Sequence, residues 1–194
     1  MIRFLKIFSF IPFIKRLVYR KYYATGLGTY IVNSFYKVIL RINAPADFLC
    51  HFTSRVNSPK KIKFIGSDLS SQYLSMATSG GCYYQALNGI VIGEGTIWSY
   101  NCCFVSANHS FLNLTKHTET EPIRIGERVW LGANCVVLPS VSIGDYSIIG
   151  ASSLVSKDIP EYTIAVGNPA RVIAKRCKIC LSKIKLEENC PNCS

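Results

Sequence analysis

Two sets of side chains in this sequence have the type and spacing for chemistry. The first is His109, in 108-NHS-110, one of only three histidines in 194 residues. It stands where a regular pattern ends and a polar stretch begins. A neutral imidazole, with a reference pKa of ~6.5, can accept and return a proton near working pH. The second is 177-CKICLSKIKLEENCPNC-193, two C-x-x-C pairs separated by nine residues. Each pair offers two thiolates from one tight turn, and four thiolates form a closed tetrahedral site of the structural zinc type. So short a tail buries no core of its own. Cys177, Cys180, Cys190 and Cys193 are therefore the expected ligands of a structural Zn2+, with disulfides or free thiols as the alternative.

The element that must position His109 is announced by a repeat. Ile125, Leu131, Val137, Ile143, Ile149 and Val155 lie six apart without a slip, and Ile92, Trp98 and Phe104 show the same spacing earlier. Small or β-branched residues come two places before the later ones, at Val129, Cys135, Val141, Ser147 and Ser153. A period of six fits neither a helix nor an ordinary alternating strand. It fits short flat strands that turn a corner every six residues, three to a coil, with coils stacked about 4.8 Å apart. The repeated aliphatic residue should point into the prism. Gly126, Gly132, Gly144 and Gly150 should ease the backbone at the corners. The repeat breaks after His109, which predicts a loop over 110–121 leaving the prism. From Lys61 to Leu74 the pattern is ragged, and the first coils are not defined by it.

Composition sets the limits around this solenoid. The chain is long enough for one main domain with tails. Its net charge of +11 is uneven: residues 1–63 hold twelve Lys and Arg against Asp47 alone, and the remainder is balanced. The basic, aromatic-rich segment 1–56 reads as two short amphipathic helices, the first bent at Pro12. Such a segment can lie in the headgroup region of an anionic membrane; packing on the main domain is the alternative. No apolar run approaches the ~20 residues that span a bilayer, and no cleavage site follows the first apolar stretch. Nine unevenly placed cysteines without a signal peptide point to a reducing, cytoplasmic setting, at the inner face of the membrane if the N-terminus attaches there. Six Lys and Arg between Arg171 and Lys185 lack an aromatic platform, so nucleic acid is not expected as a partner.

From about Asn57 to Arg176 the chain resembles the hexapeptide-repeat acyltransferases, most specifically over 122-PIRIGERVWLGANCVVLPSVSIGDYSIIGASSLVSKDIPEYTIAVGNPARVI-173. The resemblance implies an all-β solenoid, a left-handed parallel β-helix over 57–176, between the helical segment 1–56 and the zinc-ribbon-like tail 177–194. It implies a homotrimer whose sites lie between neighbouring prisms and take acetyl-CoA. His109 maps onto the family's catalytic base, and the backbone N–H of Ala133 onto its oxyanion donor. Trp130, Ala133, Ala151, Ser156, Lys157 and Arg171 would line the coenzyme. Gln85, Asn88 and Glu94 lie near where related enzymes contact a sugar, with Asn88 equally readable as a turn residue. The expected activity is O-acetylation of a sugar hydroxyl, in surface polysaccharide or glycoconjugate synthesis. Serine, an amino sugar nitrogen or an antibiotic hydroxyl are alternative acceptors, and a non-catalytic trimeric scaffold is a further reading. The chain lacks the long helical domain of serine acetyltransferases. Its three histidines, the first 58 residues from the second, do not match the zinc triad of the γ-type carbonic anhydrases that share the prism.

Overall fold

The computed structural model describes residues 25–193. The first of the two expected N-terminal helices lies outside these residues. In the second apolar segment a helix, α1, runs over Leu27–Val38. Fifteen strands follow, most of two or three residues: β1 Arg55–Asn57, β2 Ile62–Phe64, β3 Tyr83–Gln85, β4 Ile90–Ile92, β5 Ile97–Trp98, β6 Cys103–Val105, β7 Ile123–Ile125, β8 Trp130–Leu131, β9 Val136–Val137, β10 Ser142–Ile143, β11 Ile148–Ile149, β12 Leu154–Val155, β13 Thr163–Val166, β14 Arg171–Arg176 and β15 Lys183–Ile184. They form three sheets. The first is ordered β1-β3-β6-β9-β12, the second β2-β4-β7-β10 and the third β5-β8-β11-β13-β14-β15. From β3 to β12 the chain visits the first, second and third sheets in rotation, which is a parallel β-helix with three faces.

The register explains the period. Ile125 pairs with Ile143, Leu131 with Ile149 and Val137 with Val155, each eighteen residues on, so three hexads close one coil. All six of these side chains are buried, as are Ile92, Trp98 and Phe104. The residues two places earlier, Val129, Cys135, Val141, Ser147 and Ser153, are buried with them. Alternation within each short strand therefore sends two side chains of every hexad inward.

The glycines have a different reason from the one expected. The left-handed backbone at the corners is taken by Arg128, Asn134, Ser140, Tyr146 and Ser152, with φ between 51 and 62°, and not by Gly126, Gly132, Gly144 or Gly150. Those glycines lie where one coil presses on the next. A Cβ on Gly132 would stand 2.6 Å from the backbone nitrogen of Ala151, and backbone held in a ladder cannot give way.

A helix accounts for the ragged stretch. α2, Ser70–Thr78, is inserted into a coil, so Ile62 pairs with Ile90 across twenty-eight residues instead of eighteen. Met76 and Ala77 of α2 are buried with Phe48 and Leu49. Asn33 of α1 donates from Nδ2 to the Ala77 carbonyl at 2.8 Å and accepts from the Phe52 amide at 3.1 Å. The two helices thus pack at the N-terminal end of the prism. At the other end β13, β14 and β15 pair antiparallel and extend the third sheet into the tail.

Candidate active site

Across the coil that carries the loop, Ile92 pairs with Ile125, Trp98 with Leu131 and Phe104 with Val137, thirty-three residues apart. That coil therefore holds fifteen residues beyond the usual eighteen, and they leave at the corner between the first and second sheets. Gln85 fixes the point of departure. Its amide is buried, its Nε2 donates to the Ala107 carbonyl at 3.0 Å, and its Oε1 accepts from the Ala107 N–H at 2.8 Å. Both ends of the Gln85 amide, expected near the acceptor, are thus bonded to the backbone behind His109. Asn88 ties down the far side of the loop, with Nδ2 2.9 Å from the Ser106 carbonyl and 2.8 Å from both the Thr118 carbonyl and Thr120 Oγ1.

The loop is a compact hairpin. Ser110 N–H donates to the Lys116 carbonyl and Thr118 N–H to the Asn108 carbonyl, while His109 and His117 face each other in an antiparallel bridge. Their rings lie 4.4 Å apart between centroids. His109 is exposed, with Nδ1 2.6 Å from the carbonyl oxygen of Leu114. A carbonyl only accepts, so Nδ1 carries the proton and the lone pair is left on Nε2. This is the tautomer a general base needs, and it is set by a bond within the loop itself. The Leu114 carbonyl and the packed ring of His117 are the site features that sequence reasoning missed. Asn113, whose Oδ1 accepts from Thr115 N–H at 2.9 Å, was the available signal for a tight turn there.

The other expected site residues lie elsewhere on the prism. Ala133 is at the corner between the third and first sheets. Its carbonyl accepts from Ser152 N–H at 2.8 Å, whereas its own N–H has no acceptor among the described residues. Ala151 packs on the same corner one coil further on. Trp130 is 50% exposed on the outer face of the third sheet, and Arg171 opens β14 in that sheet. Ser156 and Lys157 are exposed just after β12. Glu94 sits at the corner between the second and third sheets, where its carboxylate accepts from Ser67 N–H at 2.7 Å. Within one chain, then, only Gln85 and Asn88 share a corner with His109 at the level of the loop, and both support that loop.

Residues 122–157 match the family described as bacterial transferase hexapeptide (six repeats). Over these residues the prism is similar to the hexapeptide-repeat transferases. The galactoside O-acetyltransferase of Escherichia coli (strain K12) is 41% identical over 87 residues, covering 43% of each chain. A Staphylococcus aureus (strain COL) protein, provisionally named an acetyltransferase, is 43% identical over 98 residues, covering 48% of this chain and 49% of that one. The chain thus spans about half the length of the curated relatives it matches. Among solved structures, a maltose O-acetyltransferase from Clostridium difficile 630 aligns with a TM-score of 0.51 and 32% identity over 63% of each chain. An N-acyltransferase from Bacillus cereus aligns with a TM-score of 0.51 at 18% identity, over 68% of this chain and 81% of that one, and shares the fold alone.

Beyond the hexapeptide-repeat prism, the four tail cysteines converge. Their Sγ atoms all lie within 4.8 Å of one another, 3.7 Å between Cys177 and Cys193 and 3.5 Å between Cys180 and Cys190. A disulfide would need about 2.05 Å. Four thiolates about 2.3 Å from one tetrahedral ion stand about 3.8 Å apart, so this donor set fits a metal. Ile179 N–H points at Cys177 Sγ at 3.4 Å. Ser182 Oγ, 2.8 Å from Cys180 Sγ, holds that thiol down to about 6. The cluster is moored to the prism by Arg176, which donates to the Tyr146 carbonyl at 2.7 Å, and by Lys178, which pairs with Glu161 at 2.6 Å. The remaining five cysteines belong to the prism and its N-terminal cap. Burial pushes the Cys50 thiol up to about 12, which keeps it an inert core side chain.

Proposed function

We propose that the protein is an acetyl-CoA-dependent O-acetyltransferase acting on a sugar hydroxyl, in surface polysaccharide or glycoconjugate synthesis. The observation that carries the reading is the Nδ1 bond of His109 to the Leu114 carbonyl, which leaves Nε2 free to act as a base on an exposed loop. In this mechanism His109 Nε2 takes the proton from the acceptor hydroxyl as its oxygen bonds to the thioester carbon. The N–H of Ala133 donates to the carbonyl oxygen as that oxygen gains charge, a contribution of about 3 kcal/mol. The C–S bond then breaks, and His109 returns the proton to the departing thiolate. Trp130, Ala151, Ser156, Lys157 and Arg171 would hold the coenzyme, the two cations near its phosphates.

His109 and Ala133 occupy different corners of one prism, so the mechanism needs a second protomer, and a homotrimer of left-handed β-helices is the assembly that fits this reading. The outer columns of the sheets support it. The third sheet presents Ile97, Trp130, Ile148 and Ile164 in register, and the first presents Arg55, Tyr83, Cys103, Val136 and Leu154, apolar beyond its first member. The second presents Lys63, Val91, Arg124 and Ser142. Two faces are apolar enough to bury against neighbours, and one is polar and suits solvent. The tail cysteines would hold a Zn2+ whose role is to fix the fold of a segment without a core.

The N-terminal third is read as a peripheral attachment to an anionic bilayer. Ile31, Val32, Phe35, Val38 and Ile39 form an exposed stripe along and just beyond α1, and this third of the chain holds the whole charge excess. Co-sedimentation with anionic but not neutral vesicles, weakening as salt is raised, is the expected result; equal recovery with both would remove the attachment. No described helix is long and apolar enough to cross a membrane.

The test of the activity is an acceptor screen with acetyl-CoA, following thiol release across oligosaccharides, nucleotide sugars, serine and chloramphenicol-like alcohols. Release above the hydrolysis rate with saccharides alone is expected. Coenzyme binding without release for any acceptor would overturn the enzyme reading in favour of a scaffold.

A further inference from the structure

The second sheet's outer face carries a groove that the acetyl-transfer chemistry does not use. It measures about 430 Å³ and runs from the short 3-10 turn Pro59–Lys61 across β2, β4 and β7 to the root of the loop. Four cations line it: Lys60, Lys61, Lys63 and Arg124. Ile65, Val91 and Pro122 give it an apolar lining between them. Lys63, Val91 and Arg124 are in register on neighbouring strands. The two cations therefore flank the Val91 position two ladder spacings apart, about 9.6 Å between backbones. Lys61 Nζ is drawn to the Leu87 carbonyl at 2.5 Å, on the same side as Asn88 and Gly89.

No carboxylate lines the groove. Glu121 reaches Arg124 at its rim, at 3.7 Å between two exposed side chains, a pair of little strength that an incoming anion can displace. The charge is also unusual for its place. The outer column of the third sheet is apolar and that of the first carries a single cation, Arg55, at its start, while this one concentrates cations. Part of the basic excess in residues 1–63 is thus built into the β-helix, and does not lie only in the segment before it.

The groove adjoins the loop that holds His109. Pro122 and Asn88 line it, and Asn88 is bonded to the Thr118 and Thr120 end of that loop. It spans the second sheet from β2 to β7 on either side of the loop, whereas Lys157 and Arg171, assigned to the coenzyme phosphates, come later in the chain, after β12 and at the start of β14. We propose that this groove binds the phosphate-bearing end of the acceptor, so that the enzyme acts on a sugar carried on a diphosphate. The inference rests on the acetyltransferase reading and names the substrate class of that same site. Several cations around an apolar lining suit a multiply charged phosphate ester better than a single carboxylate, for which one bidentate arginine would suffice. A soluble nucleoside diphosphate sugar and a diphosphate-linked lipid sugar share this chemistry.

Direct binding tests the groove without requiring turnover, so its failure is distinct from a failure of acetyl transfer. The full-length protein is titrated by calorimetry with inorganic pyrophosphate, with a nucleoside diphosphate sugar and with the same sugar unphosphorylated. Both phosphorylated probes should bind at least about tenfold tighter than the neutral sugar, with an affinity that falls as salt rises. Lys63→Gln combined with Arg124→Gln should lower that affinity at least about tenfold. The variant should still bind coenzyme A, which checks its fold. A diphosphate-linked sugar presented in neutral vesicles, compared with the soluble one, identifies the source. Equal affinity for charged and neutral sugars, no loss in the double variant, or displacement of pyrophosphate by coenzyme A at this site would each overturn the proposal. So would preferential binding of a carboxylated sugar over a phosphorylated one.

Discussion

His109→Ala should lower acetyl transfer by about 10² to 10⁴-fold while leaving coenzyme A binding and assembly unchanged. The size follows from what the ring does. An acceptor hydroxyl is a poor nucleophile near neutral pH, and His109 is the exposed imidazole whose protonation pattern is fixed by the chain, with Nδ1 held 2.6 Å from the Leu114 carbonyl. His109→Asn separates chemistry from loop support, because its side-chain amide can still donate to Leu114 and supplies no base. Both variants should be equally inactive, with His109→Asn keeping the hairpin more native in proton exchange. His117 packs on the ring 4.4 Å away but has no assigned proton transfer, so His117→Ala should cost much less, chiefly by loosening the ring. Turnover by His109→Ala at the unsubstituted rate would remove the base from the mechanism.

The core of the prism was readable because its constraint is periodic. Six aliphatic residues at an interval of six can satisfy a three-sided coil, and all six are buried. The glycines were readable as requirements but not for their reason. Sequence shows that a side chain is missing; only the stacked coils show that Gly132 yields its space to the backbone of Ala151 rather than to its own φ angle. α2 was not legible at all. Its nine residues, SSQYLSMAT, have a weak apolar face, and what holds them is tertiary: Met76 and Ala77 buried in the end of the prism, and Gln72 Nε2 donating to the Gly93 carbonyl at 2.8 Å.

The candidate site divides in the same way. The break in the hexads gave the loop its place, since a pattern that stops after His109 must leave the coil there. The clamp of Gln85 on Ala107 was not legible, because a glutamine beside a reactive loop has the same appearance in sequence wherever its amide points. The orienting group on His109 is a backbone carbonyl, and no residue type could have announced it. The charge asymmetry was legible as a number and not as a surface: Lys60, Lys61 and Lys63 are counted with the N-terminal segment in the sequence, yet line a groove beside the loop in the fold.

The tail should respond to loss of a thiolate far more than its size suggests. Cys180→Ser and Cys190→Ser should each lower bound zinc from about one to below about 0.3 per chain in protein purified under reducing conditions. The reason is that the segment has little else to hold it. Ile179 is 80% exposed and Leu186 39%, and Lys185 pairs only with Glu188 three residues away at the surface. Against this, structural zinc is worth about 10 to 16 kcal/mol of apparent binding energy in small metal-folded peptides. The prism should survive, because Arg176 and Lys178 are tied to Tyr146 and Glu161 independently of the thiols. Hydrogen exchange should therefore rise over β15 and the residues after it, with the coils through β12 unchanged. Acidification should release the metal by the same logic: binding needs thiolates, so protons compete as pH falls, and affinity is recovered as it rises. A chelator added to native protein should raise the number of thiols open to a labelling reagent by four, since Cys50, Cys82, Cys102 and Cys135 are covered by packing and the half-buried Cys103 is the same with or without metal. A purified, reduced protein that holds no zinc and gains no reactive thiols on chelation would leave the four Sγ atoms as neighbours without an ion.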